Sequence, residues 1–218
     1  MTTIYKEDVE CSVCGTTESQ SFLGSTSAFG SADLDTRPPE LERSTLAQRI
    51  YRCSKCLYCS SDLTTCSEET VEIVQSSEYQ DIVGNTSLPE TASSFLALSF
   101  LSYRLQEYQA AAWSAISAAW ICDDHGLAED AISCRLKALE LINEGLSGPE
   151  KLAHQEGASE AITIDLMRRA GLFEEAKQVA TSINTSETDE TIAKVIAFAI
   201  HLIDKRDDGI YTIKQALE

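Results

Sequence analysis

Eight cysteines carry most of the chemical potential of this 218-residue chain, and four of them stand in two short pairs, Cys11-Ser12-Val13-Cys14 and Cys53-Ser54-Lys55-Cys56. A Cys-x-x-Cys turn folds two sulfurs onto one side of a tight loop. Two such loops brought together supply the tetrahedral four-thiolate set that zinc accepts in structural sites. The 38 residues between the pairs suit a ribbon whose two knuckles sit at the tips of two hairpins. Gly15, directly after Cys14, permits the left-handed backbone that a knuckle often adopts. The expectation is therefore a structural Zn2+ held by Cys11, Cys14, Cys53 and Cys56. A site closed by four thiolates leaves no position for substrate or water, so this reading argues against metal catalysis and for a protein that is not an enzyme.

The remaining cysteines define the alternative. Cys59 repeats the step after Cys56, and Cys66 stands seven further on, so Cys53, Cys56, Cys59 and Cys66 form a run that can hold an iron–sulfur cluster or serve a thiol-based redox sensor or enzyme. The close fourth cysteine followed by proline is missing, and such a cluster leaves Cys11 and Cys14 without a role. Cys122 and Cys134 fall on apolar or small-residue helix faces and read as core. His125, His154 and His201 have no partner at ligand spacing and read as surface or capping residues. Asp33 and Asp35 alternate along an extended stretch that ends in Arg37-Pro38-Pro39. They are either a small site for a cation or a basic group, or local turn chemistry with Arg37 as a salt-bridge partner. The sequence has no His-Glu-x-x-His, no Gly-x-x-x-x-Gly-Lys, no Gly-x-Gly-x-x-Gly and no Gly-x-Ser-x-Gly.

The elements that must position these residues change character along the chain. Residues 10–60 are rich in Ser, Thr, Gly and Pro, with β-prone runs at Ser21-Phe22-Leu23 and at 48–52, the latter leading into the second cysteine pair as a strand would. So core-poor a module needs a staple. Residues 60–90 turn acidic and Ser-rich and end in Val83-Gly84-Asn85-Thr86-Ser87-Leu88-Pro89, which marks a domain boundary. Beyond it the apolar period is helical: Thr91–Gln106, Tyr108–Asp124 with Trp113 and Trp120 as core, Leu127–Glu144, a stretch opened by Pro149 and broken near Gly157 that runs to Arg169, then Leu172–Ser182, Asp189–Ile203 and a short last helix to Leu217. The expected fold is α+β but mostly α, with a small β zinc-ribbon-like module over 1–88 and an antiparallel helical stack over 89–218.

Composition narrows the partners. The formal charge is −18, from 35 acidic and 17 basic side chains. The excess is spread over both halves, so no basic face is hidden. That disfavours nucleic acid and anionic membranes, whose phosphates bind by counterion release to Lys and Arg. Arg43, Arg49, Arg52 and Lys55 around the second knuckle are diluted by Glu40 and Glu42. The acidic start of the chain is not a secretory signal and no apolar run spans a bilayer, so a cytoplasmic protein is expected. In that compartment eight cysteines point to metal and burial rather than disulfides, and the sequons at Asn85 and Asn184 are chance.

Two resemblances extend this reading. Arg168-Arg169-Ala170-Gly171-Leu172-Phe173-Glu174-Glu175-Ala176, followed by Ala180, resembles the turn of a tetratricopeptide-type hairpin. Leu105 to Ala111, 65 residues earlier, is a weaker echo at about twice the repeat length. The order of Cys11-Ser-Val-Cys-Gly15, Phe29 to Pro39, Tyr51-Arg-Cys-Ser-Lys-Cys56, Ala119 to Glu140 and the Arg168–Ala176 turn resembles a bacterial family of uncharacterised proteins, domain of unknown function 2225. The resemblance implies a zinc-ribbon-like cysteine region before tetratricopeptide-like helices, Cys11, Cys14, Cys53 and Cys56 as ligands, and weight on Asp33 to Pro39. Leu57 departs from the family, whose second knuckle carries glycine there, so Cys59 stays open as a replacement for Cys56. The functional expectation is an interaction or adaptor protein whose helical stack takes a protein or peptide partner.

Overall fold

The computed structural model describes residues 1–145, 151–184 and 188–218. The helix start expected at Pro149, and Thr185 and Ser186 of the second sequon, lie outside the described residues.

Strand β1 (Thr3–Glu10) pairs antiparallel with β2 (Thr17–Ser25), from Glu10 opposite Thr17 out to Thr3 opposite Ser25. A second, two-residue hairpin pairs β3 (Tyr51–Arg52) with β4 (Cys59–Ser60). Each cysteine pair occupies the turn of one hairpin, as the spacing predicts. The hairpins meet through aromatic rings, with Phe22 stacked on Tyr5 at 5.7 Å and tilted against Tyr51 at 4.7 Å.

Two features of this half depart from the expectation. The run at 48–52 is strand only in its last two residues: a 3-10 helix covers Arg43–Arg49 and the strand is limited to Tyr51–Arg52. Leu46, inside this helix, and Ile50, which follows it with extended backbone, are both buried. The acidic, Ser-rich stretch at 60–90 contains two helices, α1 (Glu68–Val74) and α2 (Ser77–Val83). Its serines are caps: Ser67 accepts from the Thr70 amide and Ser76 from the Tyr79 amide, and glutamates follow in each first turn.

The helices α3 (Glu90–Arg104), α4 (Tyr108–Asp124), α5 (Ala128–Gly145), α6 (Ala158–Arg169), α7 (Phe173–Ser182), α8 (Glu190–Asp204) and α9 (Ile213–Leu217) follow the expected boundaries within a few residues. Successive helices pack on one another. Ala111, Ala112, Ala115, Ala118 and Ala119 of α4 are all fully buried, so that α3 and α5 approach closely on its two sides. Gly157, with φ +81°, sits at the α6 N-cap where the break was expected. Two apolar clusters result. The first runs from Val9 and the cysteine turns through α1–α5 to Ile162 and Leu166, so residues on both sides of position 88 share one core. The second joins α6, α7 and α8 and includes a single buried residue from the N-terminal half, Leu34. No helix among the described residues is long and apolar enough to cross a membrane.

Candidate metal centre

The two cysteine turns are built alike. In the first, the Gly15 amide donates to the Cys11 carbonyl at 2.7 Å and the Cys11 amide to the Thr16 carbonyl at 2.9 Å. In the second, the Leu57 amide donates to the Cys53 carbonyl at 3.0 Å and the Cys53 amide to the Tyr58 carbonyl at 2.9 Å. Gly15 and Leu57 hold the same left-handed place, at φ +69° and +62°. Leucine therefore makes the second knuckle at some conformational cost, and the missing glycine does not abolish the turn.

Helix α2 supplies the support that holds this turn. The Tyr79 hydroxyl donates to the Leu57 carbonyl at 3.1 Å and accepts from the Cys59 amide at 2.9 Å, while Gln80 Nε2 donates to the Cys56 carbonyl at 3.2 Å. Neither Tyr79 nor Gln80 was expected to bear on the site, because the stretch that holds them reads as linker. The signal that marks them is the pair of serine caps.

The four sulfurs of Cys11, Cys14, Cys53 and Cys56 lie within 4.8 Å of one another. Two contacts cross between the knuckles, Cys11 Sγ to Cys56 Sγ and Cys14 Sγ to Cys53 Sγ, each 3.6 Å. Disulfide sulfurs stand about 2.0 Å apart, so these are separate thiols. A metal with bonds of about 2.3 Å to four tetrahedral sulfurs has sulfur–sulfur edges of about 3.8 Å, which the observed contacts match. A multi-iron cluster needs space for its own iron and sulfide ions between the ligands, and this set is too tight for that. Among the described residues, this is the one group of metal-ligating side chains close enough to share an ion.

Burial raises the Cys11 and Cys56 thiols. Cys14 suffers less from burial, and its side-chain and backbone hydrogen bonds with Thr16, helped by Cys53, bring it down to about 6. Burial thus favours the neutral thiols of Cys11 and Cys56, while Cys14 is ready as a thiolate at neutral pH.

Cys59 does not join the set. It is fully buried, its thiol donates to the Leu57 carbonyl at 3.3 Å, and burial pushes its pKa up to about 11. Cys66 is exposed and outside the group. Cys122 and Cys134 are buried between α4 and α5, as expected.

A second polar centre lies where α4, α5 and α6 meet. Asp35 is completely buried; its Oδ2 accepts from Trp120 Nε1 at 2.9 Å and from Arg169 at 3.3 Å, with Arg135 at 3.8 Å. Asp123 accepts from Arg135 at 2.5 Å and Arg169 at 2.9 Å, and Arg37 stands 3.5 Å away. Arg37 also pairs with Asp124 at 2.5 Å, and Asp33 takes Arg43 at 3.2 Å and Arg37 at 3.7 Å. The local Asp33–Arg37 pairing is present, but Asp33 and Asp35 do more than shape a turn. Asp33 is met by Arg37 and Arg43 from its own segment and Asp35 by Arg135 and Arg169 from α5 and α6, so the two do not form a carboxylate pair facing a cation. Trp120 is core, as expected, and also turns its polar edge to Asp35.

The family model described as an uncharacterized protein conserved in bacteria (DUF2225) matches residues 4–204. The chain belongs to this family. Comparison with curated proteins and with solved structures gives no match. The DUF2225 match spans both centres, since it includes all four clustered cysteines and the whole Asp35–Asp123–Arg169 network.

Proposed function

We propose that Cys11, Cys14, Cys53 and Cys56 hold one structural zinc ion, and that the protein is a non-enzymatic cytoplasmic adaptor whose tetratricopeptide-like helices receive a protein or peptide partner. The observation that carries the metal reading is the set of four sulfurs within 4.8 Å, spaced as a tetrahedral thiolate site requires. Zinc fits because it accepts four thiolates without redox chemistry. Such a set has no open position, so its work is to tie two small hairpins that bury little apolar surface of their own. The formal charge of −18 favours a partner that offers basic side chains and disfavours polyanions.

Elemental analysis of protein purified without added metal tests the first part. About one zinc per chain is expected, with loss in Cys11→Ser or Cys56→Ser and retention in Cys59→Ser. Less than about half a zinc per chain, or loss of metal in Cys59→Ser with retention in Cys56→Ser, overturns it. The partner reading is tested by titrating the full chain with basic and acidic peptides at rising salt, where salt-sensitive binding of the basic set is expected. Equal indifference to both sets overturns it.

A further inference from the structure

The 38 residues between the two cysteine pairs do not stay near the metal centre. Their middle packs on the C-terminal helices as a strap. The Leu34 amide donates to the Tyr211 carbonyl and the Ile213 amide to the Ala32 carbonyl, each at 2.9 Å, while Asp33 and Thr212 form an antiparallel bridge. Leu34 is 2% exposed inside the α6–α8 cluster, and every other buried member of that cluster lies at Ala161 or later. Asp35 is then fastened by Trp120, Arg135 and Arg169, and Arg37 by Asp123 and Asp124. Arg168, fully buried, donates to the carbonyls of Asp207 and Gly209 at 2.6 and 2.9 Å and so fixes the segment on which the strap lies.

The strap thus sits in the middle of a loop whose two ends are the metal-ligating turns. A metal that joins Cys11 and Cys14 to Cys53 and Cys56 closes that loop, and clasping its middle also restricts it. Two constraints on one loop share the same entropy cost, so each makes the other easier. We propose that the Ala32–Arg37 strap links metal occupancy to the C-terminal helices, so that loading the four cysteines tightens the clasp on α6, α8 and α9 and unloading them loosens it. This rests on the metal reading above. Coupling is reciprocal by necessity: a weakened clasp lowers metal affinity by the factor by which metal loss weakens the clasp, typically about five-fold or more for coupled sites.

The test uses the full chain with metal content measured on every sample. Amide exchange is compared between zinc-loaded and chelator-treated protein. The Leu34 and Ile213 amides are expected to exchange at least about five-fold faster after metal removal, while the Ile116 amide, inside α4, stays protected. Zinc affinity is compared by competition with a chromophoric chelator for Asp35→Asn and for the milder Trp120→Phe, which removes one hydrogen bond to the strap. Both are expected to release zinc more readily, whereas Ile196→Val, a core change in the cluster that holds Leu34 which does not touch the strap's polar clasp, leaves affinity within about two-fold. Stoichiometric zinc together with unchanged exchange at Leu34 and Ile213 overturns the link and leaves the metal reading standing. Unchanged zinc affinity in a folded Trp120→Phe does the same. Absence of zinc overturns both, and the metal measurement tells the cases apart.

Discussion

Replacing Asp123 with asparagine breaks the centre of the buried network without changing its volume. Three guanidinium groups lean on this carboxylate, and they fare differently when its charge goes. Arg37 keeps Asp124 at 2.5 Å and Arg169 keeps Asp35 at 3.3 Å. Arg135 retains only Asp35, at 3.8 Å, and its side chain is 2% exposed. The loss is therefore dominated by one buried arginine deprived of its close partner, for which about 3–5 kcal/mol is the usual cost. With a urea dependence of about 2–3 kcal/mol/M, the midpoint falls by about 1–2.5 M. Adding Arg135→Met removes the stranded charge, and the double variant is expected to regain most of that loss, because an apolar side chain of similar length costs nothing to desolvate. Equilibrium urea unfolding of the wild type, both single variants and the double variant closes the cycle. A midpoint shift below about 0.3 M for Asp123→Asn, or a double variant that equals the sum of the singles, refutes the argument.

Three further outcomes follow from single sites. In metal-free protein at pH 7, iodoacetamide is expected to label Cys14 first, since its thiol lies at about 6, and to spare buried Cys59 at about 11; peptide mass mapping reads the order, and prior labelling of Cys59 contradicts it. Gly145→Ala is expected to destabilise by about 1–3 kcal/mol in thermal unfolding. A methyl there lands 2.0 Å from Tyr108 Cγ and 2.2 Å from its Cβ, atoms close to the backbone that cannot swing away, so an unchanged melting temperature counts against this packing. Burial, reinforced by the Asp35 charge and opposed by Arg43 and Arg37, pushes the Asp33 carboxyl up to about 6. The folded state then holds this proton more tightly than the unfolded chain, so the contribution of Asp33 to stability declines as pH rises from about 4 to about 6 and is level above. Asp33→Asn is expected to remove that decline from a series of unfolding curves, and an identical pH slope in the variant contradicts the assignment.

How far the chain can be read without its fold differs from element to element. The helices from α3 onward announce themselves, since a stripe of apolar residues at three- and four-residue steps has one economical solution, and Gly157 and Gly171 mark their ends. The cysteine turns are equally local, because two residues at a fixed spacing bring their sulfurs together wherever the turn lies. Helices α1 and α2 were hidden by their serines, which composition counts as linker and geometry uses as caps. The long hairpin was hidden by its polarity: a two-stranded ribbon in solvent buries only Val9 of β1, so no alternating apolar signal is needed to build it.

The sequence by itself determined that two cysteine turns are present to face one another, the helical character of the second half and the acidity of the chain. All three depend on residue type and short-range spacing. Only the tertiary structure decided that Cys56 and not Cys59 joins the set: Cys59 is fully buried, with its thiol on the Leu57 carbonyl and its amide held by Tyr79, twenty residues away. It also decided what Asp35 is for, while Asp33 keeps partners from its own segment, Arg37 and Arg43. The alternation of Asp33 and Asp35 is visible in the chain, but Asp35 meets Trp120 across 85 residues and Arg169 across 134. A carboxylate's role is set by which charges surround it, and no local pattern records a partner brought in by the packing of distant helices.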